Sequence, residues 1–283
     1  MILHTGEYRS SLKHPDAEEM IDLIFFRPVS FILVKMIYRL PISPNQVSIL
    51  SLAAGLAAAF FISSGEPAYF RVGGILLLIA NLFDCMDGQL ARLQGSGTFF
   101  GRVIDGIADY ITGVAVFFAL GIGLKSNLIW ILVIGVGVSS IIHGIAFDYY
   151  QGEFLKARTG KNNISANEVK NYLINNLKTT GGLGIRRIIG EIYLLYLNLQ
   201  DKAISFFTPA KYQLDEFQKN DERIIRLWSF LGTSTNRSML MIFCFIGLTV
   251  YYLFIVIVCF NLLFIFCLFY QRRISKLRGN DMK

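Results

Sequence analysis

The sequence predicts an all-α integral membrane fold. It has six transmembrane helices, an N-terminal interfacial amphipathic helix and a cytoplasmic helical insertion before helix five. Three observations predict this. The 283 residues are 54% hydrophobic and only 17% charged, too apolar for a soluble domain of this size. The apolar residues fall into blocks long enough to span a bilayer. Lys and Arg are shared very unequally among the segments between those blocks.

The elements follow in order. Residues 1–14 are polar and read as flexible, and no N-terminal signal peptide is visible. "PDAEEMIDLIFF" starts a helix with acids in its first turn. Arg27-Pro28 is expected to break it and restart another. Residues 28–40 mix Val29, Ile32, Met36, Ile37 and Leu40 with Lys35 and Arg39, which suits a helix lying on the inner membrane surface with its basic stems snorkelling. "ISPNQVS" then turns the chain into helix one, residues 46–64. Residues 72–93, 99–123 and 128–148 are helices two to four.

The segment 150–223 is polar and basic, with one amphipathic stretch, "RRIIGEIYLLYLNL". Its "GGLG" at 181–184 reads as a flexible bend rather than a phosphate loop. Residues 238–270 form a 33-residue apolar run. At 1.5 Å per residue that is roughly 50 Å, too long for one span. A turn at Gly247 divides it, so helix five is expected to begin near Ile224 and to contain "GTSTNRS" (232–238). Helix six then runs from about Val250 to Tyr270. The domain reading is a cytoplasmic N-terminus and interfacial helix (1–45), a membrane domain (46–270) and a basic cytoplasmic tail (271–283).

With both ends inside, the outer loops 65–71, 124–127 and 247–249 hold only Arg71 and Lys125 of the 27 basic residues. The net charge of +7 then suits the anionic cytoplasmic leaflet and calls for no nucleic acid. Cys85, Cys244, Cys259 and Cys267 lie in predicted membrane helices without metal-ligand spacing and read as reduced packing residues.

The stretch "DCMDGQLARLQGSGTFFGRVIDGIADY", residues 84–110, carries the chemistry. Asp84, Asp87, Gly88 and Ala91 stand at i, i+3, i+4 and i+7, one face of a helix. Gly101, Asp105 and Asp109 stand at i, i+4 and i+8, again one face. The glycine-rich bend between them predicts an antiparallel hairpin of helices two and three, with four carboxylates converging at its cytoplasmic end. A lone Asp near a helix end is ordinarily interfacial or ion-paired. Four together repel one another, and divalent cations remove the conflict. All-oxygen ligands of this kind suit Mg²⁺ or Mn²⁺, and a pair of such ions is a common clamp on phosphates. Gly88 and Gly101 leave room for a ligand at the backbone, or for close helix packing.

The pattern D84-x2-D87-G88-x2-A91-R92-x8-G101-x3-D105-x3-D109 resembles, at all eight fixed positions, the signature of the CDP-alcohol phosphotransferase family. The resemblance is tight over residues 43–110 and extends to the rest by helix count only. It implies a six-helix membrane enzyme that moves a substituted phosphoryl group from a CDP-linked donor to an alcohol and releases CMP. It further implies two divalent cations on Asp84, Asp87, Asp105 and Asp109, with Asp109 also the general base. Donor and nucleotide contacts are implied at Gly88, Ala91, Arg92, Thr98 and Gly101, and at Asn45 in the "SPN" turn. A homodimer in the bacterial inner membrane, with its active site on the cytoplasmic face, is also implied.

The motif does not separate the family's two directions. CDP-diacylglycerol donates a phosphatidyl group to a polar alcohol in one. A CDP-linked choline- or ethanolamine-type alcohol donates to a lipid hydroxyl in the other. Asn236 and Arg237, with neighbouring hydroxyls, are candidates for binding a phosphorylated or polyol acceptor, Arg237 otherwise snorkelling to headgroups. Similarity to phosphatidylinositol-type synthases points the same way. Two other classes stay open at this point. An ion-coupled transporter lacks support from repeated halves with broken helices. An inactive scaffold would have no use for the four carboxylates.

Overall fold

The computed structural model describes residues 6–159 except 14 and 16, residues 222–281, and six isolated residues between 190 and 202. Every regular element among the described residues is a helix. Helix α1 is Gly6–Ser11. A wide π turn, Asp22–Phe26, runs directly into α2, Arg27–Ile37. Then come α3 (Pro44–Ser63), α4 (Pro67–Gln94), α5 (Phe99–Gly123) and α6 (Asn127–Thr159). The C-terminal part has α7 (Glu222–Ser229), α8 (Thr233–Ile246) and α9 (Thr249–Ile255). A second π turn, Val256–Phe260, joins α9 to α10 (Asn261–Asp281).

Five helical segments are long and apolar enough to cross a membrane: Pro44–Ser63, Pro67–Gln94, Val103–Gly123, Asn127–Leu155 and Thr249–Gln271. They coincide with the expected helices one to four and six. Their outer faces carry exposed Ile49, Phe60, Val114, Leu128, Ile131 and Phe269. In water such faces would be costly, and in a bilayer they need no cover.

The local signals explain most boundaries. Ser43 caps α3 in a capping box with Gln46, and Pro44 takes the first helical turn. Gly95 ends α4 in the left-handed region at φ 61°. Thr98 then caps α5 through the Gly101 N–H at 3.0 Å. Gly247, at φ 79°, ends α8.

Four expectations are corrected. Residues 6–11 form a helix, and Ser11 is fully buried. Arg27-Pro28 does not break the helix, because the preceding π turn widens by one residue and accommodates the proline. Helix four continues past 148 to Thr159. A continuous helix five from Ile224 does not exist. The chain turns at 230–232, and α8 restarts from Gly232. At 14 residues, α8 is roughly 21 Å long, short of a bilayer core. The "GGLG" bend, Arg186, Arg187 and most of the predicted insertion lie outside the described residues.

Helix α3 is the hub. It packs along both α4 and α5, and α8 packs along α4. Gly55 of α3 lies hard against Thr112 of α5, and a Cβ on Gly74 of α4 would stand 2.9 Å from the Met241 carbonyl of α8. These are close backbone approaches that only small residues permit. By contrast, α4 and α5 do not pack along one another, so the expected hairpin is splayed rather than closed. The turn after α8 gathers with Gly65, Pro67, Phe70 and Leu124 at one end of the bundle. The carboxylates lie at the other end, beside the α4–α5 bend.

Inside the bundle, Asn261 donates to the Ile257 carbonyl at 2.9 Å and to Ser139 at 3.1 Å, and its Oδ1 meets His143 Nε2 at 3.1 Å. Asn261 thus serves a carbonyl of the second π turn, which the membrane interior would otherwise leave unsatisfied.

Candidate active site

The splay between α4 and α5 is a cleft, and four helices present side chains to it. From α4 come Asn81, Asp84 and Asp87, spaced by three residues along one face. From α5 come Asp105 and Asp109. From the first turns of α3 comes Ser48, whose hydroxyl donates to Asp87 Oδ2 at 2.5 Å. From α8 comes Arg237. Its Nη2 pairs with Asp109 Oδ1 at 2.8 Å, and its Nη1 donates to Asn81 Oδ1 at 3.1 Å.

The four carboxylates do converge. Asp84 lies within electrostatic range of Asp105 and Asp109. Asp87 and Asp105 face each other within hydrogen-bonding reach. Two carboxylates that close need a shared proton or a cation between them. Among the described residues, only Asp109 of the four is in an ion pair. The donor chemistry, all oxygen and strongly anionic, fits hard divalent cations. The arrangement is open: among the described residues, no three acidic, His or Cys side chains close around a single point.

The expected donor contacts form two groups. The Arg92 guanidinium lies over Gly88, where a Cβ would stand 3.2 Å from Nη2. Its Nε donates to the Ser11 carbonyl at 2.5 Å, and its Nη2 is buried without a partner among the described residues. That leaves a buried N–H available to an anion. Ala91 is half-buried on the same helix. At the other side, a Cβ on Gly101 would stand 3.0 Å from Thr98 Oγ1 and 3.1 Å from Asn45 Oδ1. The structure therefore brings Asn45, Thr98 and Gly101 together, with Thr98 already engaged as the α5 cap.

The two expected acceptor residues part company. Arg237 reaches the carboxylates. Asn236 does not: its amide donates to Ser140 at 2.9 Å and accepts from the Tyr252 hydroxyl, which ties α8 to α6 and α9. Asn81 and Ser48 were not foreseen. Asn81 was within reach of sequence reasoning, because it precedes Asp84 by three residues on the same face. Ser48 was not, because nothing in the α3 pattern aligns it with Asp87, 39 residues away.

The N-terminal segment closes the site's rim. Glu18 pairs with Arg27 at 2.6 Å, and Arg27 donates to the Cys85 carbonyl of α4 at 3.2 Å. Glu19 lies against the start of α8. Burial pushes its carboxyl up to about 8, with Asp22 adding repulsion and the Thr235 and Ser234 donors opposing the rise. Burial also lifts Asp22 to about 6, against the pull of Arg27.

Fold and site together define an integral membrane protein with a multi-carboxylate centre at one end of a helical bundle. The family model for CDP-alcohol phosphatidyltransferase matches residues 41–179. Over those residues, just under half of the chain, the protein is similar to the CDP-alcohol phosphatidyltransferase family. The chain is similar to the phosphatidylinositol phosphate synthase of Mycobacteroides abscessus, 29% identical over 117 residues, 41% of this chain and 49% of the relative. It is also similar to the Corynebacterium glutamicum protein of that name, 34% identical over 86 residues, 30% of this chain and 38% of the relative. A bifunctional IPC transferase and DIPP synthase of Aquifex aeolicus is 31% identical over 117 residues, 40% of this chain and 26% of the relative. The chain thus spans about half or less of the length of these relatives.

Proposed function

We propose that this protein is a membrane enzyme of phospholipid synthesis. It transfers a phosphatidyl group from a CDP-linked donor to a phosphorylated polyol and releases CMP. The observation that carries the reading is the cleft itself: four carboxylates on α4 and α5, with one arginine from α8 reaching in to Asp109. Similarity to the CDP-alcohol phosphatidyltransferase family supports the CDP-linked donor, and the relatives named phosphatidylinositol phosphate synthase favour the phosphatidyl direction and an inositol-phosphate-like acceptor.

In this reading Asp84, Asp87, Asp105 and Asp109 hold two divalent cations, Mg²⁺ or Mn²⁺. When bound, these would neutralise the diphosphate and the departing CMP. Ser48 orients Asp87 toward the cleft. Arg92 directs its Nη2 at a donor phosphate, while Gly88 and Gly101 let the nucleotide approach the backbone. Asp109 takes the proton from the attacking acceptor hydroxyl. The new P–O bond forms to that oxygen as the P–O bond to CMP breaks. Arg237 holds Asp109 until the acceptor's anionic group competes for the guanidinium. The test is CMP release in detergent with CDP-diacylglycerol and inositol phosphate. A CMP signal that needs a lipid hydroxyl and a CDP-linked small alcohol instead would reverse the assigned direction.

The same reading makes α8 a sixth crossing and puts the site at the cytoplasmic face, with α2 on the membrane surface. Its support is that α8 begins beside the carboxylates and ends with the turns at 65 and 124. Cysteine reporters at Lys202 and Lys276 are expected to label from the cytoplasm, and one at Lys125 from the opposite side. A five-crossing chain would place Lys276 on the same side as Lys125, so an impermeant maleimide decides between them.

A further inference from the structure

Helix α8 delivers Arg237, yet its N-cap residue supplies no side-chain bond to its first N–H groups. That residue is Gly232, which has no side chain to satisfy them. The partner arrives from the opposite end of the chain. Glu19 Oε1 accepts from the Ser234 N–H at 3.1 Å. Its Oε2 accepts from the Thr235 N–H and the Thr235 hydroxyl, both at 2.7 Å. Glu19 is 5% exposed, so these bonds face little competition from water. Gly232 is part of the same seat, because a Cβ there would collide with the Glu19 carboxyl.

Arg237 lies on the second turn of α8, directly above this cap. A helix held at its first N–H groups has its height and rotation set there, and Arg237 reaches Asp109 and Asn81 only at one height. The segment that carries Glu19 is itself anchored to the other wall of the cleft. Arg27, paired with Glu18, donates to the carbonyl of Cys85, the residue after Asp84. Gln151 of α6 donates to the Ala17 carbonyl at 2.6 Å.

We infer that Glu19 is a positioning residue: it caps α8 from the N-terminal segment and so holds Arg237 in register with Asp109 and Asn81. The inference rests on the proposed reaction for its kinetic consequence but not for its structural one. Two variants test it in the full-length protein. Glu19→Ala removes the cap, and Gly232→Ala displaces the Glu19 carboxyl while keeping every charge.

Amide hydrogen exchange over residues 233–240 is expected to rise about tenfold in both variants. Exchange unchanged in that segment overturns the cap. In CMP release, both variants are expected to lower kcat/KM for the acceptor about tenfold, with donor KM within about twofold of wild type. In an Arg237→Gln background the same changes should cost less than about twofold, because the group being positioned is gone. Full additivity there overturns the positioning role and leaves Glu19 a general stabiliser. Should Glu19→Ala fail to insert, Gly232→Ala carries both measurements. Wild-type protein that releases no CMP would instead sink the proposed reaction, and exchange would still decide the cap.

Discussion

Chelation of divalent cations is expected to abolish CMP release, and Mg²⁺ or Mn²⁺ to restore it. The cause is the charge balance of the cleft. Four carboxylates converge from α4 and α5, and among the described residues Arg237 on Asp109 is the one ion pair they make. A diphosphate cannot approach such a surface unless cations reverse its sign. Asp84→Ala should therefore lose at least about a thousandfold in turnover while still inserting in the membrane. The same substitution has an opposite effect on stability without metal. It removes one of several crowded like charges, so the metal-free variant should melt above the metal-free wild type. Added Mg²⁺ at a hundredfold excess over Kd should stabilise the wild type by about 3 kcal/mol, read as a higher melting temperature, and leave Asp84→Ala nearly unmoved. Full activity under thorough chelation would remove the carboxylate centre from the mechanism.

Arg237→Ala is expected to be the next largest loss, and the structure sharpens what it should look like. Sequence alone suggests an acceptor contact whose removal raises KM. The observed pair with Asp109 and bond to Asn81 add a second consequence. Without the guanidinium, Asp109 has lost its orienting partner and Asn81 its donor. Both kcat and acceptor KM should suffer, with a combined loss of about 2–3 kcal/mol, roughly 30- to 150-fold. Arg237→Lys should recover little, because an ammonium lacks the planar fork that serves Asp109 and Asn81 together. Donor KM should stay within about twofold, and Arg92→Ala should show the complementary pattern. A rise in donor KM at fixed acceptor KM would move the acceptor pocket away from α8.

The family motif and the apolar blocks were legible because their information is local. Helical spacing of three and four residues puts Asp84 with Asp87, and Asp105 with Asp109, whatever surrounds them. Ser43, Gly95, Thr98 and Gly247 mark helix ends through bonds that span at most a few residues. The break at 230–232 had a local signal in Gly232 ahead of "TSTN", residues that favour a helix start over a helix interior, but its cap lies more than two hundred residues away in Glu19, which no local pattern reveals.

By itself, then, the sequence determined the five long apolar helices, which faces carry carboxylates and which family the hairpin resembles. Only the tertiary structure decided that α4 and α5 stand apart around α3, that Ser48 holds Asp87 and that Arg237 meets Asp109. Those outcomes depend on how helices far apart in the chain pack, and small residues at the contacts, such as Gly55 and Gly74, set the distances. A periodicity records which face is apolar; it does not record which neighbour that face will meet.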